Sequence, residues 1–415
     1  MSEKIISAVK ASRKEAVGFL QKLLAFDTQV IDQGVGGSEG SAQRFLAAEL
    51  KRLGAAVDLF EPDNKRLKKY ADFNPGHNYR GRPNLVATLG GGRKSIILNG
   101  HIDTVSPGNP ALWKCDPWQG RIAGGRLFGL GSCDMKGGLA AMIMAVKLLR
   151  KLAVPLDGKI IIQSVVDEEG GGNGSLACVD RGYKADVALI AEPTNMAICA
   201  AHRGAMHLKL TARGLSTHAS LKEKGVNAIE KMVRIMHALE NLETQWHRRK
   251  KHSLLPSPAI TFCQLSGGVG ASIIPAECEA KVNVKYLPGE DPVVVRQEVA
   301  KCVRQACRND PWLRKHQVEL SWLLNTSPYE TNCSHPIVGI LKNSLTTIRG
   351  KFELSGMPSG SDARTLNNVG HIPTFIIGPG DLSMAHQPNE NLPLADYFDA
   401  ITMFAVTINK WLGGC

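Results

Sequence analysis

No apolar run in this chain approaches the roughly 18 residues that a membrane-spanning helix needs. The N-terminus, Met-Ser-Glu-Lys-Ile-Ile-Ser, alternates charged with apolar residues and lacks the apolar stretch of a secretory signal. These two absences argue against a membrane partner and for a cytoplasmic protein. Paired thiols are missing as well. The ten cysteines are scattered without a Cys-x-x-Cys pair, which excludes a disulfide framework and a thiolate zinc site and fits a reducing compartment. There is no internal repeat and no low-complexity segment, so neither a solenoid nor a linker-rich chain is indicated. Aromatic residues make up only 6%, and none interleaves the short basic runs Lys65–Lys69 and His247–His252. Without stacking platforms or a recognisable nucleic-acid module, these runs read as solvated loops and no nucleic-acid partner is expected, although the net charge is +12.

The 415 residues suffice for two domains with cores of their own, and 43% hydrophobic with 21% charged residues is the balance of a globular protein. Residues 3–26 and 40–54 carry helical spacing, with the loop Gly34–Gly40 between them. Strands are predicted at Val57–Phe60, Asn84–Leu89, Ser95–Asn99, Lys159–Val166 and Asp186–Ala191. These nearly continuous apolar runs, separated by helices, belong to a sheet covered on both faces. After residue 204 the period changes to two. Met206, Leu208, Leu210 and Ala212 alternate with polar neighbours, as do Cys278, Ala280, Val282, Val284 and Tyr286, which gives an antiparallel sheet with one buried face. Helical spacing at 226–246 and 292–308 supplies its cover. From about residue 325 the first pattern resumes, with a helix at 335–348, a strand at Ile372–Ile377 and a last helix at 394–412. The expected fold is therefore α/β: a mixed, mostly parallel sheet domain (1–204 and 325–415) with an α+β domain of antiparallel sheet (205–324) inserted into it.

The chemistry-bearing residues sit where apolar strands stop. The run Ser95–Asn99 leads into Gly-His101-Ile-Asp103, and Lys159–Val166 into Asp167-Glu168-Glu169. Val187–Ala191 leads into Glu192, and the last strand precedes His386. Asp134 follows a glycine-rich turn and opens an apolar helix at 135–149. In a parallel sheet such strand ends share one rim. Two imidazoles and several carboxylates without thiolate suit a hard or borderline divalent cation: zinc first, with cobalt or manganese as alternatives. Carboxylates so crowded would repel one another without cations. A pair of ions about 3.5–4 Å apart accounts for the set.

His101-Ile-Asp103-Thr-Val, Gly131-Ser-Cys-Asp134-Met-Lys-Gly-Gly, Asp167-Glu168-Glu169 and Ala191-Glu192-Pro-Thr, in that order, resemble the motifs of the M20 metallopeptidase/deacylase family. The resemblance covers nearly the whole chain. It implies two divalent metal ions held by His101, Asp134, Glu169, Glu192 and His386, with Asp134 bridging. It implies Glu168 as general base and Asp103 orienting His101. The inserted domain would be the family's dimerisation or lid domain, in which His218 of Gly214-Leu-Ser-Thr-His218-Ala-Ser polarises the scissile carbonyl in the partner of a homodimer. Ser359-Gly-Ser361-Asp362-Ala-Arg364 resembles a substrate-contacting segment, with Arg364 suited to a carboxylate.

The implied activity is hydrolysis of the amide of an N-acylated amino acid or small amine. A dipeptidase or carboxypeptidase, or an amidohydrolase acting on a formylated non-amino-acid amine, is the alternative. Family members that bind N-acyl amino acids often carry Asn before Val-Ile-Pro and an Arg on the next strand; here Ser272 and Lys285 stand in those places. Ser reaches less far than Asn, and Lys is a poorer bidentate clamp than Arg, so an acetylornithine-like substrate is placed in doubt.

Overall fold

A computed structural model describes residues 1–30 and 38–413. Of the expected loop at 34–40, residues 34–37 lie outside the described residues, and the helix Glu39–Arg52 begins within its last part. The helical spacing at the N-terminus resolves into two helices, Ser2–Ala11 and Arg13–Leu24, joined at Ser12. The chain divides into two compact units. One comprises Met1–Ala200, Glu330–Met357 and Ser361–Cys415; the other comprises Ala201–Tyr329 and Pro358–Gly360.

The first unit is built on a mixed sheet. Its strands run in the order Ala56–Phe60, Asn84–Gly91, Gly158–Val165, Lys94–His101, Ala188–Ile190, Thr374–Ile376 and Ile198–His202, with Leu354–Met357 beside the last. The four from Gly158–Val165 to Thr374–Ile376 are parallel, and the flanking pairs are antiparallel. Helices cover both faces, and the central strand shows how. A Cβ on Gly100 would lie 2.9 Å from Met135 Cε and 3.4 Å from Leu139 Cβ, so that side of the strand faces the helix Lys136–Lys151. Asn99 points the opposite way and donates to Ser175 Oγ at 2.9 Å, on the helix Asn173–Asp180. Alternation then puts His101 on the Asn99 side.

Register brings the strand ends level. His101 pairs with Val165, so Asp167, Glu168 and Glu169 leave the neighbouring strand just beyond it. Asn99 pairs with Ile190, which sets Glu192 opposite His101. The Asp134 segment arrives through the glycine-rich start of the helix Lys136–Lys151. A Cβ on Gly138 would collide with the carbonyl oxygen of Ala191, so this helix can seat on the strand end only because residue 138 has no side chain.

The second unit is a four-stranded antiparallel sheet in the order Ala259–Gly267, Glu277–Tyr286, Gly204–Arg213, Glu319–Thr326. The helices Ala228–Arg249 and Pro292–Arg308 cover one face. Leu208, Leu210, Val282 and Val284 pack there against Ile235, Leu239 and Val299. Asn227 and Asp291 cap these helices, each accepting a first-turn N–H. Trp246 Nε1 donates to Glu298 Oε2 at 2.6 Å and ties the two helices together. Two cations of the second basic run, Arg249 and Lys250, pair with the same Glu298 at 3.0 and 2.9 Å. No helix among the described residues is long and apolar enough to cross a membrane.

Candidate active site

Six of the residues singled out from the sequence meet at the carboxyl rim of the first unit's sheet. The imidazole of His101 lies with Nε2 3.2 Å from Asp134 Oδ1 and 3.9 Å from Glu192 Oε1. His386 Nε2 lies 3.0 Å from Glu169 Oε1 and 3.4 Å from Asp134 Oδ2. The two oxygens of Asp134 thus face two different imidazoles. Glu168 shares a cluster with His101 and Glu192 in which one ligand atom from each lies within 4.8 Å of the others. It forms no hydrogen bond or ion pair with either imidazole among the described residues. His101 and Glu192 are buried, whereas His386 is exposed.

The protonation preferences of these groups conflict. Burial, then the charge of Asp134, pushes Glu192 well above the carboxylate range. Burial raises Glu168 and Glu169 too, and repulsion from neighbouring carboxylates adds to it. Burial alone would pull His101 down, but Asp134, Glu192 and Asp103 outweigh it and hold it well above the ordinary imidazole value. Hydrogen bonding to Asp134 and Glu169 pushes His386 up to about 11. Burial works against the charge of Asp134, and the two imidazoles overcome it and hold that carboxyl low. A divalent cation among such groups favours neutral imidazole and ionised carboxylate together. Two imidazoles and carboxylate oxygens without thiolate are a donor set that fits one; the neighbouring Cys133 thiol points to the Asp381 carbonyl at 3.3 Å.

Asp103 reaches His101 through its backbone. Its main-chain carbonyl, not its carboxylate, takes the His101 Nδ1 contact at 2.9 Å, with Oδ1 farther off at 3.7 Å. The carboxylate instead accepts the N–H groups of Glu168 and Glu169, at 3.4 and 3.1 Å. One residue therefore orients the imidazole through its backbone and the paired glutamates through its side chain.

Several supporting residues have a part in the site that the sequence does not suggest. Asp167, at φ +68°, turns the chain out of its strand. Its buried carboxylate is held by His77 Nδ1 at 2.8 Å and by the hydroxyl of Tyr79 at 2.6 Å. Arg82 stands beside them, paired with the buried Glu39 at 2.6 Å. Glu390 accepts three backbone N–H groups from the turn that precedes the helix Lys136–Lys151. Only its place four residues after His386 marked it.

The substrate-contacting candidates are dispersed. Arg364 is buried and donates to the carbonyls of Gly171 at 2.9 Å and Ser361 at 3.1 Å, so one nitrogen braces the turn that follows Glu169 and another its own segment. Its Nε has no hydrogen-bond partner among the described residues. In the second unit, His218 and Ser272 are neighbours: Ala219 N–H donates to the Ser272 carbonyl at 2.9 Å, and His218 bridges to Ile273. His218 is exposed, with Nδ1 against Ser220 Oγ at 2.7 Å. Lys285, on the strand Glu277–Tyr286, is pulled below the ordinary lysine value by desolvation and then by Arg203.

Residues 97–410 match the profile of peptidase family M20/M25/M40. The chain belongs to that family. As a member of the M20 group it is a hydrolase. It is 28% identical to an N-formyl-4-amino-5-aminomethyl-2-methylpyrimidine deformylase of Halalkalibacterium halodurans, over 99% of this chain and 97% of the relative. It is 31% identical to an acetylornithine deacetylase of Proteus mirabilis, over 78% of this chain and 81% of the relative. The M20 fold recurs in a metallo-carboxypeptidase of Sulfolobus solfataricus, with TM-score 0.75, 17% identity and coverage of 96% and 99% of the two chains.

Proposed function

We propose that this chain is a metal-dependent deacylase that hydrolyses the amide bond of an N-acylated amino acid or small amine. The observation that carries the reading is Asp134 with one oxygen toward each of two imidazoles, each imidazole also facing a glutamate. On this reading His101 and Glu192 hold one divalent ion, His386 and Glu169 hold a second, and Asp134 is shared. Bound there, such ions lower the pKa of water and draw charge from an acyl oxygen; zinc suits the donors, with cobalt or manganese as substitutes.

Glu168 is the general base in this scheme. It stands within reach of His101 and Glu192 but is bonded to neither imidazole among the described residues, which leaves its carboxylate for proton transfer. It takes a proton from water at the rim and delivers it to the nitrogen of the departing amine, so one carboxyl serves both halves of the hydrolysis. Asp103 and Asp167 hold the backbone from which Glu168 projects. Arg364, with its free Nε, is the candidate for a polar group of the substrate.

A homodimer, with the first unit catalytic and the second serving as dimerisation and lid domain, belongs to the same proposal. The edge strand Ala259–Gly267 supports it, because an edge leaves backbone groups for a second copy. His218 as the group that polarises the carbonyl is supported by its exposure and by an Nε2 without a hydrogen bond among the described residues.

Among acyl groups, formyl on a non-amino-acid amine is the second reading. It is favoured by the near-complete alignment with the deformylase and by Ser272 and Lys285 in place of the Asn and Arg of N-acyl amino acid binders. Hydrolysis rates on formyl-, acetyl- and succinyl-amines and on dipeptides, with and without added zinc or cobalt, test both readings. Turnover of dipeptides alone, or undiminished turnover after exhaustive chelation, would refute the deacylase proposal.

A further inference from the structure

The stretch Asn389-Glu390-Asn391, just past His386, binds three separate parts of the chain between residues 112 and 134. Asn389 Oδ1 accepts the Lys114 N–H at 2.7 Å, and its Nδ2 donates to the Leu112 carbonyl at 2.9 Å. Asn391 pairs in register with Phe128, and its Oδ1 accepts from Arg126 Nη1. Glu390, between them, is 1% exposed. Its Oε2 accepts the Gly131 N–H at 3.1 Å, and its Oε1 accepts those of Cys133 and Asp134 at 2.7 and 3.0 Å. The Glu390 carbonyl also accepts the Gly129 N–H at 3.0 Å.

Four hydrogen bonds thus stitch the segment that carries His386 to the turn that presents Asp134. The two side chains those segments deliver meet at 3.4 Å. Hydrogen bonds from N–H to a carboxylate are stronger than neutral ones, and both oxygens of Glu390 are used as acceptors only. Gly131 sits at φ +79°, and a Cβ there would lie 2.8 Å from Thr104 Cγ2.

We propose that Glu390 is a positioning residue: by anchoring the turn 131–134 it sets the separation of Asp134 and His386, and so the affinity for the cation those two share. This rests on the metal reading above. It predicts that losing Glu390 weakens cation binding even in chains that remain folded.

The test is a cobalt titration of the full-length chain after chelation, followed by visible absorption, on wild type and Glu390→Gln. The amide keeps the shape but turns an NH2 group toward backbone donors. Metal-free Glu390→Gln should retain the circular dichroism spectrum of the folded wild type, melt at a lower temperature, and bind cobalt about 10–100-fold more weakly at a temperature where both chains are folded. A titration that superimposes on the wild-type curve would overturn the inference. Should the metal-free variant be unfolded, Glu390→Asp, which keeps the charge and shortens its reach, decides: weakened cobalt binding supports the role and wild-type affinity overturns it. A wild-type chain that takes up no cobalt or zinc sinks the metal reading itself, an outcome separate from a bound but unperturbed variant.

Discussion

Gly138→Ala tests whether the helix Lys136–Lys151 and the strand end at Ala191 are as closely seated as the rim requires. Two effects oppose each other. Alanine is the better helix former by about 1 kcal/mol, and in open space the substitution would stabilise. Here the new Cβ would overlap the Ala191 carbonyl oxygen and stand 2.8 Å from Ala191 Cβ, where real contacts under 3.0 Å essentially never occur. Overpacking of this kind costs about 1–3 kcal/mol or more, because main chain rather than a flexible side chain must yield. The steric term wins. Relief must come from moving the helix, which shifts Asp134, or the strand end, which shifts Glu192. A displacement near 1 Å in such a site costs about 100-fold in rate. Gly18→Ala is the matched control, since Gly18 lies in the helix Arg13–Leu24 with nothing within 4 Å of its Cβ position. Urea denaturation should show Gly138→Ala destabilised and Gly18→Ala stabilised by about 0.5–1 kcal/mol. Gly138→Ala should also lose turnover while Gly18→Ala keeps it. A Gly138→Ala protein as stable and as active as wild type would refute the close-seating argument.

Glu168→Gln should lower kcat by about 10²–10⁴ and leave KM and cobalt binding near wild type, measured by steady-state kinetics and metal titration; a variant with full kcat would remove Glu168 from the role of base. Chelation should abolish turnover and lower the thermal midpoint, and zinc at about 100 times its Kd should restore about 2.7 kcal/mol, read by calorimetry. Asp310→Asn should cost about 1.5–3 kcal/mol in the second unit, because the buried carboxylate pairs with Lys231 at 2.8 Å and accepts the Trp312 and Leu313 N–H groups. Burial alone would raise Asp310, but Lys231 and those N–H groups hold it below its ordinary value. The folded state therefore binds fewer protons than the unfolded state near that value. This stabilisation is present above the unfolded pKa of about 3.9 and is lost as pH falls through the folded one. The gap between wild type and Asp310→Asn should close on acidification below about pH 4; a gap that widens there would contradict the assignment.

Four of the rim residues, His101, Glu168, Glu169 and Glu192, were readable because each closes or directly follows an apolar run, and in a parallel sheet such ends converge. His101, Glu168 and Glu192 needed only strand register to become neighbours. Two strands of the second unit were not readable, for a local reason. Ala259–Gly267 is irregular between Phe262 and Gln264, and Glu319–Thr326 between Trp322 and Leu324. An inserted residue shifts the alternation in mid-strand: Leu265, five residues after Ile260, pairs on the same face, whereas Leu324, four after Leu320, pairs on the opposite one, so a strict period of two fails in both. Glu390 and the Asp167 partners escaped for another reason. Their bonds join residues 88 to 259 positions apart, and no periodicity along the chain encodes a pairing of that range.

Asp103 shows where pattern reading stops short. Alternation puts the side chains of residues 101 and 103 on one side of a regular strand, which makes an Asp–His carboxylate contact the natural expectation. The strand, however, ends at His101. The Ile102 N–H still reaches the Val165 carbonyl at 2.8 Å, but past it the chain turns and presents the Asp103 carbonyl to the imidazole. That frees the carboxylate for the N–H groups of Glu168 and Glu169, which leave the adjacent strand at the same level. A carboxylate bonded only to the imidazole would orient one side chain of the rim. Divided between carbonyl and carboxylate, Asp103 holds the imidazole and the glutamate pair in one frame. Asp103→Asn should therefore disturb Glu168 and Glu169 more than His101, because an amide retains one acceptor and sets NH2 against one of the two N–H groups. Cobalt spectra that change only in the surroundings of His101 would contradict that division.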